Sequence, residues 1–234
     1  MSATILVEED PAAPAAERLV SVASRGGHVA LAGGSTPRAA YQKAAAIAAD
    51  WSATTIWFGD DRCVPPDHEH SNYRMAREAL LDRLEHPPRA VERIQGERGP
   101  HRGASLYEGQ LREAFGEVIP ELDLILLGLG PDAHTASLFP NDPALGERER
   151  LAVGVDTPGM APLVPRVTLT LPVVDRAREV LFLVSGDDKA GAVLRAFSGR
   201  ADPGAPASLV RPRSGALTVM LDPEAASLLE RSGG

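Results

Sequence analysis

Short apolar runs rich in β-branched residues alternate along this chain with segments whose apolar residues recur every three or four positions. The first pattern is typical of buried strands and the second of helices. The predicted strands are residues 4–7, 29–32, 54–58, 122–127, 151–155, 167–171, 180–184 and 217–221, and helical spacing is clear in Tyr107, Leu111, Ala114 and Phe115 and in Ala190, Val193, Leu194 and Phe197. This alternation predicts an α/β fold with a mostly parallel, doubly wound, Rossmann-like sheet flanked by helices, plus a few extra short strands.

The length and the loops predict a single domain. The chain has 234 residues, and its Pro- and Gly-rich segments are too short to link two domains. Hydrophobic residues make up 44% of the chain but aromatic residues only 4%, so Val, Leu, Ile and Ala must fill most of the core. We therefore expect one α/β domain over residues 1–234 with an aliphatic interior.

Composition also narrows the classes of partner and the compartment. Cys63 is the only cysteine, which excludes a disulfide within the chain, and the first residues do not resemble a secretory signal, so a cytoplasmic location is expected. No apolar run approaches the roughly 20 residues of a membrane-spanning helix. The net charge of −8 and the absence of a basic stripe argue against nucleic acid as a partner. A small anionic ligand held by a few local cations fits this composition.

The first motif with chemical content follows the strand at residues 29–32. It consists of Gly33, Gly34, Ser35 and Thr36, followed by Pro37 at the expected start of a helix over residues 37–49. Glycines allow close approach of a ligand, Ser35 or Thr36 can cap the helix, and the free amides of a helix N-terminus attract anions. The motif predicts a phosphate site, although it lacks the lysine of a P-loop and an ordinary capped turn is the alternative.

The second motif, GDDRCVPP over residues 59–66, follows the strand at residues 54–58. Arg62 could neutralise a phosphate or a developing oxyanion, and the alternative is a surface ion pair with a neighbouring aspartate. His68 and His70 lie nearby, but their spacing from Cys63 matches no zinc pattern. We therefore predict no metal.

The third motif, LILLGLGPDAHTASLFP over residues 124–140, runs from an apolar strand into glycines, an acid and a histidine. Ligands of open α/β sheets bind at the carboxyl ends of strands, so Asp132 and His134 lie where chemistry is expected, with His134 as a general base. A histidine at a helix start that merely bonds a carbonyl is the alternative. The segment also matches the dinucleotide pattern G-x-G-x-x-A, but Asp132 would place a negative charge against the pyrophosphate, so no dinucleotide is predicted.

Two further cations are candidates for binding an anion. Arg166 precedes the strand at residues 167–171, and Lys189 falls in the first helical turn after the strand at residues 180–184. A cation in the first turn opposes the helix dipole, so an anionic ligand would explain Lys189. A solvated lysine is the alternative reading.

Five ordered blocks together resemble the 6-phosphogluconolactonase family, which is related to the glucosamine-6-phosphate deaminases. The blocks are AGGSTP, GDDRCVPPDHEHSNYRMAREALL, LLGLGPDAHTASLFP, PRVTLTLPVV and EVLFLVSGDDKAGAV, and they cover nearly the whole chain. The resemblance implies hydrolysis of 6-phospho-D-glucono-1,5-lactone to 6-phosphogluconate in the oxidative pentose phosphate pathway, without a metal or organic cofactor. It leaves the oligomeric state open.

Three positions bear on how far the resemblance extends. Ala133 stands where the family usually has glycine, and Cys63 stands where tryptophan is common. The related deaminases carry a glutamate five residues after the histidine, where this chain has Phe139, so a deaminase is the second choice. A sugar-phosphate sensing module is a third, but it would not need the pair formed by Asp132 and His134.

Overall fold

The computed structural model describes residues 3–229, which form a seven-stranded sheet and a smaller three-stranded sheet. The strands are β1 (Thr4–Val7), β2 (Gly27–Leu31), β3 (Thr54–Phe58), β4 (Asp60–Arg62), β5 (Ala90–Val91), β6 (Leu124–Leu127), β7 (Ala152–Val155), β8 (Arg166–Leu169), β9 (Glu179–Val184) and β10 (Ala216–Leu221). The helices are α1 (Ala12–Ala23), α2 (Ser35–Ala45), α3 (Asn72–Ala79), α4 (Pro100–Phe115), α5 (Leu171–Val174), α6 (Ala190–Phe197) and α7 (Pro223–Ala226).

The large sheet is parallel throughout and has the strand order β1-β10-β9-β6-β2-β3-β5. Its central strands β6 and β9 are buried along their whole length. A strand that is covered on both faces needs a continuous apolar run, which these segments have. The predicted mostly parallel α/β sheet is confirmed.

The small sheet is antiparallel and has the order β4-β8-β7. It contains the runs predicted as strands at residues 151–155 and 167–171, which supply the extra short strands. Gly59 connects the two sheets, because its amide donates to Leu31 in β2 (2.9 Å) and its carbonyl accepts from Leu169 in β8 (2.8 Å). The chain therefore passes from β3 in one sheet to β4 in the other within one residue.

Two buried tyrosines fix the carboxyl ends of adjacent strands. The Tyr41 hydroxyl on α2 accepts from the Ala32 amide (2.8 Å) and donates to the Ala32 carbonyl (2.9 Å) just after β2. The Tyr107 hydroxyl on α4 bonds the amide and carbonyl of Phe58, each at 2.8 Å, at the end of β3. Both strands therefore end at positions held by the helices that cover them.

Element boundaries differ from the sequence predictions at several ends. The helix expected at residues 37–49 begins at Ser35 and ends at Ala45, so Pro37 is its third residue and not its first. The strand expected at 122–127 starts at Leu124, and the one expected at 29–32 spans Gly27–Leu31. Among residues 3–229, no helix is long and apolar enough to cross a membrane.

Candidate active site

A cleft opens at the carboxyl ends of the parallel strands, where the loops after β2, β6 and β9 meet the small sheet. It brings together eight of the nine residues singled out from the sequence. These are Gly33, Gly34, Ser35, Thr36, Arg62, His134, Arg166 and Lys189. The ninth, Asp132, does not line the cleft and contacts the imidazole of His134.

The predicted phosphate loop forms one wall of this cleft. Gly34 precedes α2 with φ of +112°, a conformation that favours glycine. Gly33 has no room for a side chain, since a Cβ there would lie 2.0 Å from Oδ1 of Asn72. The expected cap by Ser35 or Thr36 is wrong, because both residues lie inside the first turn and the capping position is Gly34, which has no side chain. The first-turn amides of α2 therefore have no side-chain acceptor from the cap.

Asp132 and His134 form a close pair. Nδ1 of His134 lies 2.6 Å from Oδ1 of Asp132, and the His134 amide donates to the same oxygen at 3.1 Å. Burial alone would raise the pKa of Asp132, but the hydrogen bond from His134 and the attraction of the imidazole hold that pKa below its usual value. A carboxylate can only accept in this bond, so Nδ1 carries the proton. In the neutral imidazole Nε2 is then the nitrogen that can accept a proton.

A turn and not a helix presents His134, so the alternative of a histidine at a helix start does not apply. The turn is closed by hydrogen bonds from the Ala133 amide to the Gly130 carbonyl and from the Gly130 amide to the His134 carbonyl, both at 2.9 Å. Ala133 has φ of +67°, so the substitution of alanine for the family's usual glycine does fall on a left-handed position. That conformation costs a residue with a Cβ about 1–2 kcal/mol.

Arg62 and Arg166 face each other across the small sheet, where they are register partners on β4 and β8. Arg62 donates to the His70 carbonyl (2.8 Å), and Arg166 donates to the carbonyls of Met160 (3.1 Å) and Pro162 (3.2 Å). In the part of the chain that the structure describes, neither guanidinium forms an ion pair and each buried Nε lacks an acceptor. Desolvation lowers the pKa of Arg166, which is only 3% exposed. Two adjacent cations without a carboxylate partner are groups that could hold an anion.

Phe139 lies between the histidine and one of these arginines. Its ring centroid is 4.6 Å from that of His134 and 5.5 Å from the guanidinium carbon of Arg166. The ring offers Arg166 a cation–π contact and gives the imidazole an apolar neighbour. The sequence resemblance expects a glutamate at this position in a deaminase, and this chain has Phe139 there.

Lys189 ends a short 3₁₀ helix and occupies the capping position of α6, one residue before the helical turn in which it was expected. Its ammonium lies 3.3 Å from a carboxylate oxygen of Asp188, whose side chain is 65% exposed. The lysine side chain is only 23% exposed and lines the cleft. An ion pair to a solvated partner is weak, so the ammonium stays available to a ligand.

Sequence reasoning missed two buried polar residues of the cleft, Asp60 and Asn72. Asp60 belongs to the GDDR block, for which the sequence prediction assigns a role to Arg62 and mentions an aspartate only as the ion partner in the alternative. Asn72 donates from Nδ2 to the Asp60 carbonyl (2.9 Å) across 12 residues, a contact with no local signal. No group of three or more His, Cys, Asp or Glu side chains within residues 3–229 is arranged to hold a metal ion.

The fold and this cleft define an α/β protein with a polar cleft at the carboxyl ends of its parallel strands, where a histidine is paired with an aspartate. The chain belongs to the glucosamine-6-phosphate isomerase/6-phosphogluconolactonase family, whose model matches residues 8–219. The resemblance seen in the five sequence blocks is therefore confirmed.

Individual relatives agree with this assignment. The chain is 41% identical over 211 residues to a 6-phosphogluconolactonase of Synechocystis, covering 88% of this chain and 86% of that one. It is also 41% identical over 208 residues to the human 6-phosphogluconolactonase, covering 88% and 79%. The structure of 6-phosphogluconolactonase from Trypanosoma brucei superimposes with a TM-score of 0.84 at 30% identity, covering 97% and 99%.

A monomeric glucosamine-6-phosphate deaminase shares the same fold. It superimposes with a TM-score of 0.83 at 21% identity and covers 97% of this chain. Likeness at that identity concerns the fold alone. The residues of the cleft must therefore distinguish the two activities.

The turn that holds His134 gives a sharp test of how much its position matters. A Cβ at Gly130 would lie 2.0 Å from Nδ1 of His134 and 2.6 Å from Oδ1 of Asp132. We expect Gly130→Ala to displace the pair and lower kcat by about 100-fold, because small misplacements of reacting groups cost that much. The measurements are kcat and urea unfolding of the variant.

Gly109→Ala is the matched control. A Cβ at this exposed position of α4 meets nothing within 4 Å. It should leave kcat unchanged and raise the free energy of unfolding by about 1 kcal/mol, because alanine is the better helix former. A folded Gly130→Ala variant with normal kcat would show that the position of His134 tolerates this shift.

Proposed function

We propose that this protein hydrolyses 6-phospho-D-glucono-1,5-lactone to 6-phosphogluconate, as in the oxidative pentose phosphate pathway, with a small sugar phosphate as its partner. The observation that carries the proposal is the His134–Asp132 pair at 2.6 Å, beside a cleft lined by two arginines with unused donors. A general base next to an anion site is what hydrolysis of a phosphorylated lactone requires. Relatives named 6-phosphogluconolactonase at about 40% identity over most of the chain support it.

The phosphate of the substrate binds to the wall formed by residues 33–36. Its proposed ligands are the amides and hydroxyls of Gly33, Gly34, Ser35 and Thr36, together with Lys189 and Arg166. The first turn of α2 supplies amides without intrahelical acceptors and a positive dipole end. Binding of this remote group orients the lactone carbonyl toward the other end of the cleft.

Hydrolysis proceeds with His134 as the base. Nε2 of the neutral imidazole takes a proton from water as the water oxygen bonds to the lactone C1, and Arg62 offsets the negative charge on the carbonyl oxygen. The bond between C1 and the ring oxygen then breaks, and the imidazolium returns its proton to that oxygen. Asp132 holds the imidazole in the required tautomer and stabilises its charged form. No covalent intermediate and no cofactor is needed.

Deamination of glucosamine 6-phosphate is the alternative activity of the family, and the cleft disfavours it. Phe139 contacts the imidazole where the deaminases have a glutamate, so the acid thought to assist ring opening is missing. A non-catalytic sensing module would use the phosphate wall but has no need of the pair between His134 and Asp132. Hydrolysis uses both parts of the cleft.

The activity is tested with freshly prepared 6-phosphogluconolactone and protein treated with a chelator. We expect consumption of the lactone well above its spontaneous hydrolysis. In parallel, glucosamine 6-phosphate should release little ammonia. No acceleration, a strict need for added metal, or comparable turnover of the amino sugar would contradict the proposal.

His134→Ala tests the base. We expect kcat to fall by about 100-fold or more, with a smaller effect on the affinity for 6-phosphogluconate, because general base catalysis contributes about 10²–10⁴. In the wild type, activity should fall on acidification, since a protonated imidazole cannot accept the proton. The pKa of Asp132 lies below its usual value, so this carboxylate is ionised at neutral pH and ready to pair with the imidazole.

His101→Ala is the control for this variant, because His101 lies on the exposed side of α4 and pairs with Asp156 at 3.1 Å. It should leave kcat and the acid limb of the pH profile unchanged. Near-normal kcat in a folded His134→Ala protein would remove His134 from the mechanism.

Lys189→Ala tests the phosphate site. Loss of a charge-assisted hydrogen bond should weaken binding of 6-phosphogluconate by about 1.5–3 kcal/mol, and weak hydrolysis of unphosphorylated gluconolactone should hardly change. The ratio of the two hydrolysis rates is the measurement. The only other lysine, Lys43, pairs with Asp10 at 2.8 Å, and Lys43→Ala should leave the ratio unchanged. An unchanged ratio in Lys189→Ala would assign the phosphate to other residues, with Arg62 and Arg166 next to be tested.

A further inference from the structure

Asp60 is a buried carboxylate in the cleft that the proposed mechanism does not use. It is the first residue of β4, it is 5% exposed, and it lines the same cleft as the two arginines. A carboxylate removed from water is costly unless its oxygens receive hydrogen bonds. Its partners therefore indicate what the residue does.

The donors that reach Asp60 are few and neutral. The Ser137 hydroxyl donates to Oδ2 at 2.6 Å, and Nδ2 of Asn72 donates to Oδ1 at 3.2 Å. Asp60 has no ion-pair partner within 4.0 Å among residues 3–229. A carboxylate can accept about four hydrogen bonds, so about half of its capacity remains unused on the protein side.

The adjacent Asp61 shows what a structural carboxylate looks like in this fold. It is also buried, but it does not line the cleft, and its two oxygens receive four hydrogen bonds from the start of α3 and from its own strand. The donors are the amides of Arg62 (2.8 Å), Asn72 (2.7 Å) and Tyr73 (3.1 Å) and the hydroxyl of Ser71 (3.2 Å). Asp61 is thus complete without a ligand, whereas Asp60 is not.

The cleft also contains the reverse imbalance. Arg62 and Arg166 each present a buried Nε without an acceptor, yet neither pairs with Asp60. Unused donors and an unused acceptor in one cleft suit a ligand that has both an anionic group and neutral donors. Hydroxyl groups are such donors, and the two nearby guanidinium groups disfavour an ammonium group at the same place.

We propose that Asp60 accepts hydrogen bonds from ring hydroxyls of the bound sugar and thereby makes the cleft selective for polyhydroxylated lactones. The proposal rests on the proposed lactone hydrolysis and adds the residue that recognises the hydroxyls of the sugar ring. A site that is built to bond a hydroxyl discriminates strongly against an analogue without it, because the buried acceptor is then left unpaired. Ser137 and Asn72 act as positioning residues that hold the carboxylate toward the cleft.

The test compares 6-phosphogluconolactone with its 2-deoxy and 3-deoxy analogues in the wild type and in Asp60→Asn. We expect the wild type to lose about 10- to 100-fold in kcat/KM on at least one deoxy analogue. Asp60→Asn should lose a similar factor on the complete substrate but less than about threefold on that analogue. The proposal is overturned if Asp60→Asn lowers kcat/KM equally for all three substrates or for none of them. A purely structural aspartate would not distinguish substrates by their hydroxyls.

Two further measurements keep this result interpretable. Asp67→Asn changes an exposed carboxylate in the following loop and should leave all three kcat/KM values unchanged. Binding of 6-phosphogluconate and its 2-deoxy and 3-deoxy forms to the wild type needs neither a variant nor turnover, and one deoxy form should bind about 10-fold more weakly. Equal binding of the three would overturn the role of Asp60 even in an active enzyme, whereas discrimination by an inactive protein would support Asp60 and contradict the hydrolysis.

Discussion

The backbone of Gly59 holds the two sheets together, and the geometry of the cleft depends on that junction. Its amide completes the end of the parallel sheet at Leu31, and its carbonyl starts the pairing with Leu169 in the antiparallel sheet. Because the chain changes sheets within this one residue, β4 begins at the carboxyl end of β3. Asp60 and Arg62 are thereby brought to the same cleft as the loops after β2 and β6, which carry His134 and the residues 33–36 proposed to bind phosphate.

Much of this arrangement can be predicted from the sequence, because the spacing of apolar residues and the positions of strand ends are local features of the chain. Alternating strand and helix patterns predict a parallel sheet, and polar residues at strand ends predict where a ligand binds. Eight of the nine residues chosen from the sequence line one cleft. The roles of these residues depend on their contacts with a substrate and stay predictions.

The parts that the sequence did not predict depend on contacts between distant segments. The pairing of Arg62 with Arg166 across β4 and β8 is a matter of register, and β4 itself is only three residues long. Asn72, at the start of α3, bonds the Asp60 carbonyl. The side-chain amide of Asn72 also occupies the space that a Cβ at Gly33 would need. The left-handed conformation of Ala133 belongs to the turn before His134, which the pattern of apolar residues does not encode.

The hydroxyls of Tyr41 and Tyr107 extend the sequence requirements of the cleft well beyond its walls. Each belongs to a helix, and each bonds both backbone groups of a residue at a strand end beside the cleft, Ala32 after β2 and Phe58 at the end of β3. Replacement of either tyrosine by phenylalanine would leave a buried amide and a buried carbonyl unpaired. Each unpaired group lowers the free energy of unfolding by about 1–3 kcal/mol. The backbone that supports this cleft therefore depends for its stability on two helix side chains that do not line it.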